Sequence, residues 1–120
     1  MRTLILIPLL LALLAGVSPA FSHALLRHTE PPVGATVKTA PAELVLIFSE
    51  EIEPGFSRVT VTGPQGARVD TGTLRTDPKD ATHLLAAVRT LGPGSYQVEW
   101  HITSVDTHKT QGSYHFTVQP

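Results

Sequence analysis

The sequence contains no cysteine and, beyond the initiating Met1, no methionine. These two absences exclude disulfide frameworks, zinc–thiolate sites, thiol nucleophiles and every sulfur ligand that a soft metal ion would choose. Charge is scarce and nearly balanced, with nine Lys and Arg against ten Asp and Glu, so no basic surface calls for nucleic acid. A Gly-x-Ser-x-Gly elbow is missing. The glycine-containing tetrad Gly63-Pro64-Gln65-Gly66 reads as a hairpin turn rather than a phosphate loop. Internal repeats and low-complexity linkers are missing too. What 120 residues with ten Pro and nine Gly do allow is one small, turn-rich domain.

One long apolar run exists, and it stands at the start. Met1-Arg2-Thr3 is a short basic opening, Leu4 to Ala15 is dominated by Leu, and Ser18-Pro19-Ala20-Phe21-Ser22 supplies small residues and a helix breaker. Together these predict a secretory signal peptide over residues 1–22, because the run falls well short of the ~20 residues that span a bilayer. Ala20 and Ser22 satisfy the small-x-small rule for cleavage and leave His23 first. Ser18 with Ala20 would instead leave Phe21 first, and Ser22 with Ala24 would leave Leu25. The folded domain is expected over residues 23–120, exported across the membrane.

Beyond this segment the pattern is one of short strands. Pro31-Pro32-Val33-Gly34 ends a brief first strand, since proline cannot donate to a ladder. Glu43 to Ser49 is nearly continuous in apolar residues, which predicts a core strand covered on both faces. Arg58 to Thr62 alternates polar and apolar. Ala67 to Thr76 gives one or two weak strands broken at Gly72, and His83 to Val88 reads as a strand by its length and flanking loops. The last third is clearest: Tyr96, Val98, Trp100 and Ile102 share one face of a strand, and Tyr114, Phe116 and Val118 one face of the next. Such a succession, with no helical pattern, argues an all-β domain, an antiparallel Greek-key sandwich or barrel.

Ser104 to Gly112 connects these two strands and holds Asp106 and His108. In extended backbone, residues two apart project to the same face, so this carboxylate and imidazole can converge on one metal ion. The remaining donors would come from His23. An N-terminal His offers its α-amine and its ring Nδ1 to a single ion, and an α-amine with a reference pKa of about 8 sheds its proton near neutrality. Three nitrogens and one carboxylate favour a tetragonal Cu(II) site. Of the other histidines, His101 and His115 fall on solvated strand faces, whereas His28 and His83 flank loops with no partner at ligand spacing. The acidic connection Glu50-Glu51-Ile52-Glu53-Pro54-Gly55 follows a core strand, a place from which its carboxylates could reach the N-terminus.

These residues resemble the CopC family of periplasmic copper-binding proteins of bacterial copper resistance and uptake. The resemblance rests on His23-Ala24-x-Leu26 before a Pro-rich turn, Phe48-Ser49-Glu50, Ser104-Val105-Asp106-Thr107-His108-Lys109, and Gly112-x-Tyr114-x-Phe116. It implies a cupredoxin-like fold, a Cu(II) site made by His23, Asp106 and His108, and Glu50 as a carboxylate that orients the amine without binding the ion. It further implies a copper-sequestering or copper-delivering role beside a CopD-type inner-membrane protein, with no enzymatic activity and a monomeric state. Family members with a Met-rich Cu(I) site differ from this chain, which has no Met to build one. His101 stays outside the expected site.

Two other readings compete. A histidine-brace copper monooxygenase would share the N-terminal chelate, but no aromatic platform for a glycan is visible, and a carboxylate in the copper plane would sit where oxygen must bind. A metal-free Ig-like secreted interaction domain would follow if cleavage fell elsewhere than before His23.

Overall fold

The two C-terminal strands pair over their full length. In the computed structural model, which describes residues 24–120, β7 (Gly94–Thr103) runs antiparallel to β8 (Lys109–Val118), with Gly94 opposite Val118 and Thr103 opposite Lys109. Tyr96, Val98, Trp100 and Ile102 are buried with Tyr114, Phe116 and Val118, as the alternation predicts. β4 (Arg58–Thr62) extends this sheet along β7, and the two-residue β2 (Thr36–Val37) lies parallel to β8 on its other side. The second sheet has the order β1 (Leu26–Glu30), β3 (Glu43–Phe48), β6 (Asp80–Val88), β5 (Asp70–Asp77), all antiparallel. Two sheets face to face make the β-sandwich that the strand pattern predicts. Residues 1–22, expected from the sequence to be a signal peptide, and His23 lie outside the described residues.

Three details differ from the sequence reading. β3 is buried on one face only, through Leu44, Leu46 and Phe48, while Val45 and Ile47 are half-buried on the other. Gly72 does not break a strand: it sits at φ +81 inside β5, where the register against β6 shifts, so it marks a bulge. The tetrad Gly63-Pro64-Gln65-Gly66 closes a single bridge between Thr62 and Arg68, after which the chain crosses to the other sheet.

The core is cross-linked by aromatic rings. Trp100 of one sheet meets Phe48 of the other edge-on, with centroids 5.2 Å apart and planes at 74°. Gly112, opposite Trp100 in the ladder, leaves room for that indole: a Cβ there would stand 2.5 Å from the ring Cζ2. Tyr96 stacks on Phe116 and donates its hydroxyl to the Gly92 carbonyl at 2.6 Å, a tyrosine corner that secures the start of β7.

A carboxylate ties the sheets where β4 and β5 approach. Asp70 Oδ1 accepts from the Val61 N–H at 3.0 Å, and Arg68 grips both Asp70 oxygens at 2.8 Å. Chiefly the Arg68 hydrogen bonds, helped by that from Val61, hold the Asp70 carboxyl down at about 2. A depressed native pKa means that the unfolded chain takes up the proton first, so the stabilisation is complete above the ordinary carboxyl value and is lost as pH falls through about 2. Asp70→Asn should therefore cost roughly 1–2 kcal/mol at pH 6, a figure already reduced for the exposed Arg68 partner, and much less at pH 2. Urea unfolding of both proteins at the two pH values measures this. A gap that does not narrow in acid would place the effect elsewhere.

Candidate metal centre

Residues 104–108 turn the chain from β7 into β8. The Thr107 N–H donates to the Ser104 carbonyl and the Ser104 N–H to the His108 carbonyl, each at 2.9 Å, and Thr107 sits at φ +70. This is a three-residue hairpin loop ending in a left-handed position, normally given to Gly or Asn. A β-branched residue there costs on the order of 1–2 kcal/mol, which the closed hydrogen bonds on either side must hold in place. The connection is thus shorter than the segment 104–112 read from sequence, because Lys109 to Gly112 already belong to β8.

Asp106 and His108 do converge, but by this turn and not by extended backbone. His108 Nδ1 stands 3.4 Å from Asp106 Oδ2. The other carboxylate oxygen is engaged by Ser104, a residue only 1% exposed, whose hydroxyl donates to Asp106 Oδ1 and lies 3.3 Å from the His108 carbonyl. That hydrogen bond above all, with the nearby His108 ring contributing, holds the Asp106 carboxyl below the usual range. Asp106 is exposed and His108 half-buried, so both can reach an ion arriving from solvent. Ser104 belongs to the quoted motif, yet spacing alone gave no hint that its hydroxyl selects one carboxylate oxygen.

The acidic connection flanks this loop. The Val105 N–H donates to the Glu51 carbonyl at 3.0 Å, Ile52 bridges Ser104, and the Glu53 N–H donates to the Thr103 carbonyl at 2.9 Å. The described chain also begins here. Ala24 is fully buried, its carbonyl accepts from Thr110 Oγ1 at 3.0 Å, and the Leu25 N–H donates to Ser49 Oγ at 2.8 Å. Ser49 thus lies beside Ala24 and Leu25. Among the described residues, no three His, Cys, Asp or Glu side chains come together, and His23 is not among them.

Three other histidines have carboxylate partners: His28 Nε2 with Glu30 at 2.7 Å, His83 Nε2 with Asp80 at 3.3 Å, and His101 Nε2 with Glu99 at 3.1 Å. For His28 and His83 this corrects the reading that no partner stands at ligand spacing: the i, i+2 spacing of His28 and Glu30 is there in the sequence. His101 pairs with Gln111 across the ladder, on the outward face of its strand and away from the buried core residues.

The molecule is thus a two-sheet sandwich that carries an exposed carboxylate, Asp106, beside a half-buried imidazole, His108, on the hairpin between its last strands. The chain matches the CopC domain over residues 26–119 and belongs to the CopC family. It is 40% identical over 100 residues to Protein YobA of Escherichia coli K12, covering 82% of this chain and 81% of YobA. The crystal structure of CopC from Methylosinus trichosporium OB3b superposes with a TM-score of 0.75 at 28% identity, covering 82% of this chain and 95% of that one. PcoC, described as a methionine rich copper resistance protein from Escherichia coli, gives a TM-score of 0.70 at 30% identity, covering 82% and 100%. Met1 is the single methionine here, so the richness named for PcoC is not shared.

Proposed function

We propose that this chain is a periplasmic Cu(II)-binding protein whose cargo is the copper ion, held by the α-amine and ring of His23, the Asp106 carboxylate and the His108 imidazole. Cleavage before His23 is part of the proposal. The observation that carries it is the meeting of the chain's start with the hairpin: Ala24 is hydrogen-bonded to Thr110, two residues beyond His108. Successive Cα atoms are about 3.8 Å apart, so the residue preceding Ala24 is within one step of a backbone fixed beside that loop. Hard nitrogen and oxygen donors, with no sulfur within the chain's means, suit the oxidised ion. Glu50, next to the Ser49 that bonds Leu25, is placed in sequence to orient the amine.

As a member of a family whose relatives carry copper resistance in their names, the protein is read as a carrier that sequesters or delivers copper, not as an enzyme. A CopD-type membrane protein is the partner that fits this role. The Asp106 carboxylate, as a donor to the ion, would compete with oxygen for it.

The test is electron paramagnetic resonance of the secreted protein loaded with one equivalent of Cu(II), after mass spectrometry has fixed its first residue. The expected spectrum is tetragonal, with nitrogen couplings from the amine and both imidazoles. Reduction with ascorbate should then release the copper to a Cu(I) chelator, because this donor set holds the soft ion poorly. Retention at unchanged affinity, or a spectrum of weakly held surface copper, would count against the site.

A further inference from the structure

A single peptide unit near the chain's start is gripped at both polar atoms by hydroxyls from opposite sheets. The carbonyl of Ala24 accepts from Thr110 Oγ1 at 3.0 Å, on β8, while the N–H of Leu25 donates to Ser49 Oγ at 2.8 Å, just past β3. The Leu25 carbonyl in turn accepts from the Ser49 N–H at 2.9 Å. The Ala24 methyl is fully buried in the core cluster, where a larger side chain would displace its neighbours.

With the proposed cleavage before His23, this peptide would lie at the chain's end, where chains ordinarily fray. A chelate built on a chain end must otherwise surrender the freedom of every bond between that end and the fold when the ion binds. Here the Ala24–Leu25 peptide, one residue downstream of residue 23, is already fixed, and Thr110 fixes it from the start of β8, two residues after His108 of the preceding loop. The two halves of the proposed metal set would thereby be joined through Lys109 and Thr110 at the start of β8.

We propose that Thr110 and Ser49 are positioning residues: they lock the Ala24–Leu25 peptide so that His23 presents its amine and ring toward Asp106 and His108. Neither hydroxyl touches the ion. The inference rests on the Cu(II) reading given above, and it adds that the site is organised before copper arrives.

The experiment uses the mature protein beginning at His23, with Cu(II) titrated against a competing chelator and the spectrum recorded at one equivalent. Thr110→Val keeps the side-chain volume and deletes the donor. It should lower affinity roughly five- to ten-fold, the worth of one ordinary hydrogen bond, and should blur the amine and His23 couplings into a mixture of species. Thr110→Ser should restore both. Ser49→Ala, expected to act in the same direction, keeps the test available if Thr110→Val does not fold by circular dichroism. Unchanged affinity and spectrum in a folded Thr110→Val or Ser49→Ala protein would overturn the positioning role, as would a Thr110→Ser protein as weak as Thr110→Val. If the unaltered protein itself shows no nitrogen-rich copper signal, the Cu(II) reading fails and takes this inference with it. If the unaltered protein binds as expected and the variants match it, only the inference fails.

Discussion

Adding one residue in front of His23 should reduce Cu(II) affinity by at least roughly 100-fold. Groups that merely orient a metal ligand are worth about 10- to 100-fold in affinity, so a direct donor should cost no less than the upper figure. The extra residue turns the α-amine into an amide. The amine, with a reference pKa near 8, becomes a neutral donor at little cost, whereas an amide nitrogen keeps its proton and its lone pair is delocalised. The six-membered chelate ring that the amine and Nδ1 would close on the ion is lost with it. His108→Ala should have a comparable effect by removing the third nitrogen, and the two changes together should be less than additive, because either one dismantles the same site. Competition titration against a chelator of known Cu(II) affinity, at constant pH, provides the measurement. If the extended chain binds as tightly as the mature one, copper resides elsewhere. The pairs His28 with Glu30, His83 with Asp80, and His101 with Glu99 would then be the places to look.

Trp100→Ala should be the most damaging single change to the fold, costing about 3–5 kcal/mol. The indole is 7% exposed, meets Phe48 across the sandwich and lies over Gly112, so its loss empties the space between the sheets. Against a total stability of roughly 5–15 kcal/mol for a domain of this kind, such a loss leaves much of the chain unfolded in mild denaturant. Gly112→Ala attacks the same contact from the other side, by pressing a methyl to 2.5 Å from the ring, and should cost about 1–3 kcal/mol. The double variant is the sharper test: with the indole gone the added methyl has nothing to strike, so Gly112→Ala should be nearly silent in the Trp100→Ala background. Urea unfolding followed by circular dichroism reads all four proteins. A loss below about 1 kcal/mol for Trp100→Ala would mean that the ring does not hold the sheets together.

How legible each part was depends on how local its cause is. β7 and β8 could be read residue by residue because one face is buried and the other solvated, so every second side chain announces its side. β3 misled because Val45 and Ile47 are apolar on a face that is only half covered, and hydrophobicity does not distinguish full from partial burial. Asp106 and His108 were found because their contact closes within five residues, although the turn that joins them rests on a left-handed Thr107 that no propensity would favour. The grip on Ala24 and Leu25 had no signal at all. Ser and Thr at strand ends are commonplace, and the partners of Thr110 and Ser49 lie 86 and 24 residues away.

That separation of 86 residues also says something about what a bound ion would do to the chain as a string. With the proposed donors at His23 and on the loop before the last strand, copper would close the mature polypeptide into a ring through its own fold. A nick in any loop between Leu25 and Thr103 would leave both fragments tethered to the same ion, and losing the ion would reopen the circle. The cargo and the continuity of the carrier would then be released together.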